Sequence, residues 1–304
     1  MSTFINRYST LLIIMLGIAL GFLLPNIGLL WKGYLPYLLM LLMFFVSLTV
    51  EPKEIVESLR NYRVIALTLA MVFIFIPLLS LLAKPLFSPT AYAGTVLAFA
   101  SPSAIATGFW AAVFNAEVAS AMVISTVTSL LAIVTMPFTM LLALRTTVNI
   151  DVGWMILYLS EVILIPLAAS FLLKAAVKKS LSHLRQYTSK ANSFIMMMLI
   201  WGSMATGVAA VEKDTSEFIY LNVFMLITLG LTFFAAYTIG KSFGRKQAIT
   251  IGIAASVKNA ALSLTLGATL FGPSLGPTIL PPLIANLIAQ NIMLIPLRII
   301  LKDQ

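Results

Sequence analysis

The chain has no cysteine, one histidine and only ten acidic residues in 304. Without cysteine there are no disulfides, iron–sulfur clusters or thiolate metal sites. The histidine, His183, falls in a basic stretch. It has no Ser–Asp partners and no metal-ligand spacing around it. The acids Glu51, Glu54 and Glu57, and Glu212, Asp214 and Glu217, fall in polar connections and read as solvated faces. No phosphate-binding glycine loop is present. These absences argue against an enzyme and predict no cofactor and no bound metal.

Charge of either sign is scarce as well: 10% of residues are charged and 61% are apolar, with a mean hydropathy of +1.04. A soluble domain is about 45–50% apolar and about 25% charged. Lipid is therefore the expected solvent, and each crossing helix needs roughly 20 apolar residues. Uncharged runs cover about 8–31, 33–50, 64–83, 90–114, 118–144, 152–173, 191–211, 218–240, 247–271 and 277–297. They are continuously apolar rather than alternating, so helices are expected, not barrel strands. Nothing before the first run reads as a separate targeting peptide.

What charge there is carries topology. Ten spans put both termini on one side, together with the loops after the second, fourth, sixth and eighth spans. Fourteen of the 19 Lys+Arg fall on that side, among them Lys53, Arg60, Arg63, Lys174, Lys178, Lys179, Arg245 and Lys246. Lys32, Lys84, Arg145 and Lys213 fall on the other. The positive-inside rule then predicts cytoplasmic termini and a multi-pass protein of the inner or plasma membrane. The net charge of +9 is explained by these loops, and no nucleic-acid partner is expected.

Two spans carry polar interruptions. Ser101-Pro102-Ser103 lies in the middle of the fourth; Pro102 lacks an N–H and breaks the helix. Ser256-Val257-Lys258-Asn259 lies in the middle of the ninth. About 18–20 Å of helix separates each cluster from either end of its span, which puts both near the bilayer midplane. They are half a chain apart. Five spans per half imply two inverted repeats, residues 1–150 and 151–304. Interrupted helices at matching places in inverted halves are the best sequence pointer to a transporter's binding site. The plainer reading is that Ser-rich kinks only help helices pack.

These landmarks resemble the bile acid:sodium symporter superfamily. The likeness is carried by Leu35–Met40, running on through Met43–Pro52, then Pro77, the Ser101–Ser103 break, the Ser/Thr-rich stretch from Val118 to Pro137, and Val257-Lys258-Asn259. The resemblance implies an all-α membrane fold with crossing broken fourth and ninth helices. Spans 3–5 and 8–10 would form a core domain and spans 1, 2, 6 and 7 a panel domain. It implies alternating access, with a small organic anion as substrate and two sodium ions as the usual coupling partners.

The sequence departs from that family at the ion positions. Thr107-Gly108 stands where a Ser-Asn pair is usual, and Ala121 replaces a hydroxyl ligand while Ser125 is kept. Val72 replaces a glutamine. Ala254 stands where the sodium-bridging carboxylate belongs, with Lys258-Asn259 where Gln-Asn is usual. The expectation is that Lys258 replaces bound sodium, its ammonium donating to carbonyls freed at the breaks and to Thr107, Ser125 or Thr128, with Ser256 beside it. Transport would then not require sodium. Ser103, Ala104, Thr107, Asn259, Asn286, Gln290 and Asn291 are the expected substrate-facing residues. Glu161 is a candidate cleft acid that could pair with Lys258 or take up a proton. A sodium symporter with rebuilt sites, a proton-coupled carrier, an efflux carrier resembling the auxin-efflux group, and a channel remain the alternatives. A monomer is expected.

Overall fold

The computed structural model describes residues 2–48, 61–144, 151–177 and 185–302. The acids Glu51, Glu54 and Glu57, the bases Lys53, Arg60, Arg145, Lys178 and Lys179, and His183 lie outside the described residues, as do Thr49–Pro52 of the family-like segment. The helices in chain order are α1 (Ser2–Leu23), α2 (Pro25–Ser47), α3 (Tyr62–Ala83), α4 (Pro89–Ala100), α5 (Thr107–Val113), α6 (Val118–Leu144), α7 (Val152–Val177), α8 (Arg185–Lys213), α9 (Thr215–Gly240), α10 (Arg245–Ser256), α11 (Ala260–Thr269) and α12 (Gly272–Lys302). Among the described residues, seven stretches, in α2, α3, α6, α7, α8, α9 and α12, are long and apolar enough to cross a membrane. The protein is thus an all-helical membrane protein.

One boundary differs from the sequence expectation. The first apolar run was expected to continue to residue 31, but α1 stops at Leu23 and Pro25 opens α2. Proline has no N–H to donate back, so it suits the first turn of a new helix rather than the interior of an old one. The seventh span runs Lys190–Lys213, close to the expected 191–211, and the helix that carries it starts earlier, at Arg185, because hydrogen bonding continues beyond the apolar run.

α1 lies along α8, and α2 packs on α7 and α8. α9 packs on α10 and α12, while α4, α8 and α11 all pack on α12. α6 runs against α4, α5, α7 and α10. The α4–α12 contact is backbone-close at Gly94. A Cβ built there would fall on the Ile279 carbonyl oxygen and 2.6 Å from Pro282 Cγ. Small residues allow such approaches in lipid, where close packing replaces the hydrophobic effect between helices. Gly94→Ala must push two backbones apart. It should cost about 2–3 kcal/mol and lower Tm by several degrees in a detergent melt; an unchanged Tm would refute the close approach.

The start of α4 corrects one reading of the sequence. Glu217 is not a solvated acid. Its Oε1 accepts from the Ser88 N–H at 2.7 Å and its Oε2 from the Ser88 hydroxyl at 3.1 Å. Ser88 in turn caps α4 by accepting from Ala91 N. A carboxylate next to a helix N-terminus is favourably placed against the helix dipole. Glu212 and Asp214 are exposed, as expected.

Candidate functional site: the crossing of two broken helices

α4 ends at Ala100 and helix resumes only at Thr107. α10 ends at Ser256 and helix resumes at Ala260. Ser101 and Val257 are extended, with ψ of 149° and 106°. The two extended segments meet as an antiparallel bridge between Ser103 and Lys258. Ala104 N donates to the Val257 carbonyl at 2.8 Å, and Asn259 N donates to the Pro102 carbonyl at 2.9 Å.

This bridge answers the main physical objection to breaking a helix in lipid. Each freed backbone group would cost several kcal/mol if left alone. Here the groups freed by one break satisfy those freed by the other. Side chains complete the set. Lys258 N donates to Gln290 Oε1 at 2.9 Å, and Ser103 N donates to Thr128 Oγ1 at 3.3 Å. Ser103 Oγ donates to the Ala254 carbonyl at 2.6 Å. The Ala104 carbonyl accepts from Ser125 Oγ at 3.0 Å and also from Thr107 Oγ1. Replacing Gln290 by Leu would leave the buried Lys258 N–H without an acceptor, a loss of about 1–3 kcal/mol. Gln290→Glu keeps the acceptor. The Leu variant should melt several degrees lower and the Glu variant should not; equal melts would show that the amide contributes nothing to the crossing.

Lys258 is wholly buried, with 0% exposure. Its ammonium does not donate to the carbonyls of the breaks, nor to Thr107, Ser125 or Thr128, as expected from the sequence. It donates to the Val72 carbonyl of α3 at 3.3 Å. The break carbonyls of Pro102 and Val257 are already engaged in the bridge, and the hydroxyls spend their protons on nearby carbonyls. The Val72 carbonyl is available for a local reason. At Met71–Phe75 the helix widens, and Ile76 N–H reaches back to Met71 rather than to Val72. The next possible donor position is Pro77, which has no N–H. A carbonyl so released is a natural partner for a buried cation. Lys258 also sits just past the C-terminus of α10, where the helix dipole favours positive charge.

A cleft of about 400 Å³ opens beside the crossing. α1, α2 and α8 form one wall through residues such as Ile14, Leu42, Asn192 and Met196. The other wall comes from α5, α6, α11 and α12, with Phe109, Trp110, Met122, Asn259 and Asn291 among its residues. None of the described residues that line it is acidic.

Of the residues expected from sequence, Ala104, Ser125, Lys258, Asn259, Gln290 and Asn291 line the cleft. Ser103, Thr107, Thr128 and Ser256 do not; they are buried around the crossing, and Ser256 Oγ donates back to the Gly252 carbonyl within α10. Asn286 is also absent from the lining: it is fully buried on α12, and neither atom of its amide has a described partner. One α-helical turn separates it from Gln290, but it lies deeper in the bundle. Glu161 is corrected as a cleft acid. It is exposed on α7, near Tyr158, and does not line the cavity or reach Lys258.

The sequence reading missed Asn192, Ser193 and the aromatic pair Phe109–Trp110, whose rings lie 5.2 Å apart. Asn192 sits in the first turns of α8, at the edge of an apolar run, where a polar residue carries no signal. Two cleft-lining amides hold buried atoms without a described partner, Asn259 Nδ2 and Asn192 Oδ1. Asn259 Oδ1 is occupied as the cap of α11, accepting from Leu262 N at 3.1 Å. The free Nδ2 is thereby fixed in orientation.

A family model described as the SBF-like CPA transporter family matches residues 9–298. That is nearly the whole chain, so the chain belongs to this family, which is related to the bile acid:sodium symporters. It is a membrane transporter protein by family. No curated protein matches it.

Proposed function

We propose that the chain is a secondary transporter of a small organic anion, working by alternating access and without sodium. Lys258 would serve as a built-in cation in place of a bound ion. The observation that carries this reading is the wholly buried Lys258 ammonium on the Val72 carbonyl, at the meeting of two interrupted helices. Sodium is held by a shell of oxygens, usually with a carboxylate among them. Ala254 supplies none here, and a fixed ammonium a few ångströms away repels a second cation strongly.

The anionic substrate is supported by the cleft. It has no acidic lining residue among the described residues, an oriented amide donor in Asn259 Nδ2, and apolar walls for an organic body. α11 begins at the crossing, so its positive end lies beside the cavity. Ten spans in two inverted repeats, residues 1–150 and 151–304, are the architecture we infer. The supports are α1, the matched pairs α4/α5 and α10/α11, and the seven longer spans. α1, α2, α7 and α8 would be the panel, and α3–α6 with α9–α12 the core, with both termini cytoplasmic.

The test is uptake into proteoliposomes with sodium or choline as the only external cation. Substrate would be chosen by a thermal-shift screen of small carboxylates. Equal initial rates support the reading; clear stimulation by sodium ends it. A proton-coupled carrier is the second reading, favoured by the single acceptor of the Lys258 ammonium among the described residues. An imposed pH gradient with no sodium present distinguishes it.

A further inference from the structure

A second cavity, of about 430 Å³, lies away from the cleft, where the end of α5, the start of α10 and the end of α12 come together. Its lining is divided by chemistry. Arg245, Lys246 and Arg298 supply three cations, while Val113, Phe114, Ile249 and Leu301 supply an apolar floor. None of the described residues that line it is acidic.

The local backbone holds this arrangement. α5 closes with Asn115 at φ 54°. Asn115 N donates to the Ala112 carbonyl and Ala116 N to the Ala111 carbonyl, at 3.2 and 2.7 Å. This double closure turns the chain sharply at the cavity wall. α10 starts from Gly244, whose φ of 91° and ψ of 156° suit glycine alone, and no side chain caps it. Arg245 donates through Nη2 to the Leu301 carbonyl, which ties the guanidinium to the last turns of α12. Lys246 is exposed, and its backbone carbonyl accepts from Thr250 Oγ1 at 3.0 Å.

We propose that this cavity binds an anionic phospholipid, with the phosphate among Arg245, Lys246 and Arg298 and the glycerol end over Phe114 and Ile249. The apolar floor selects a lipid over a free anion, since inorganic phosphate has nothing to lay on it. Basic pockets between helix ends at a membrane face bind such headgroups. The site does not share a residue with the cleft. Its failure would therefore leave the transport reading untouched, and the reverse also holds.

The test uses the full chain, purified in neutral detergent and stripped of lipid. Short-chain phosphatidylglycerol, short-chain phosphatidylcholine and inorganic phosphate are titrated in separate arms, with bound mass read by native mass spectrometry. Wild type should retain phosphatidylglycerol selectively. Lys246→Gln/Arg298→Gln should bind it about 30-fold more weakly, from the contribution of two basic residues at a lipid surface. Lys246→Gln alone changes an exposed side chain and should lose about 5-fold with its Tm unchanged. Lys84→Gln, far from the cavity in sequence and absent from its lining, is the control and should bind as wild type. Equal binding of phosphatidylglycerol to wild type and Lys246→Gln overturns the proposal. So does saturation by inorganic phosphate with no preference for lipid.

Discussion

Lys258→Met should leave the protein at least as stable as wild type while its affinity for the proposed organic anion falls about 30-fold. The two halves of this expectation have separate causes. On the stability side, Lys258 is among the largest fully buried side chains. Its ammonium has one described acceptor, the Val72 carbonyl at 3.3 Å. Replacing a poorly compensated buried charge with an apolar chain of similar volume is commonly neutral or stabilising by about 1–4 kcal/mol. Against that stands the loss of the Val72 contact, about 1–3 kcal/mol at most. On the binding side, a unit charge roughly 8–10 Å from an anion, at an effective dielectric constant of about 20, contributes about 2 kcal/mol. That is the 30-fold. Lys258→Gln removes the same charge but keeps a donor for Val72, so it should lose the same affinity. Substrate-induced shifts in Tm across wild type, Met and Gln measure both halves. If Met binds the anion as tightly as wild type, Lys258 is a packing residue and the built-in cation is excluded.

How much of this site could be read beforehand depends on whether its cause is local. The break at Pro102 was legible because a missing N–H is a property of one residue. The second break was legible because three polar residues, Ser256, Lys258 and Asn259, interrupt an apolar run. The pairing of the two breaks was not, since the bridge joins Ser103 to Lys258 across half the chain. No periodicity encodes that. The partner of the ammonium shows the same limit more sharply. Pro77 stood in plain sight, and with it the prospect of a carbonyl without a donor in the preceding turn. Which carbonyl is freed follows from the widening at Met71–Phe75, and which cation it meets follows from how α3 packs on α10. Glu217 and Glu161 were misread for a related reason. An acid beside an apolar run has no sequence mark that separates one reaching back to Ser88 from one facing outward on α7. The boundary at Pro25 erred where hydropathy was asked to do the work of hydrogen bonding.

The sharpest consequence of the proposed role of Lys258, a lysine in an ion's place, is that exchanging its charge for a carboxylate should invite the ion back. Ala254→Glu combined with Lys258→Gln should give a protein that sodium stabilises, whereas wild type should melt at the same temperature in sodium and in choline chloride. Ala254 lies in the last turns of α10, fully buried, and its carbonyl already accepts from Ser103 Oγ at 2.6 Å. Ala254 packs in a cluster with Ile124 of α6, so a glutamate there is expected to bring a carboxylate near the turn that carries Ser125 and Thr128, whose hydroxyls keep lone pairs free to face a cation. Shortening Lys258 to Gln returns some volume and removes the repulsion. A like charge at roughly 4 Å is worth about 4 kcal/mol at an effective dielectric constant of 20, enough to decide occupancy by three orders of magnitude. The single variants separate the contributions. Ala254→Glu alone should pair with Lys258 and stay indifferent to sodium. Lys258→Gln alone removes the repulsion without supplying a ligand and should respond weakly at most. Added glutamate volume costs about 1–3 kcal/mol, so the double variant should start with a lower Tm and recover it as sodium is raised. Should the double variant ignore sodium while wild type gains several degrees from it, Lys258 does not occupy an ion's place, and the sodium requirement must be sought elsewhere in the bundle.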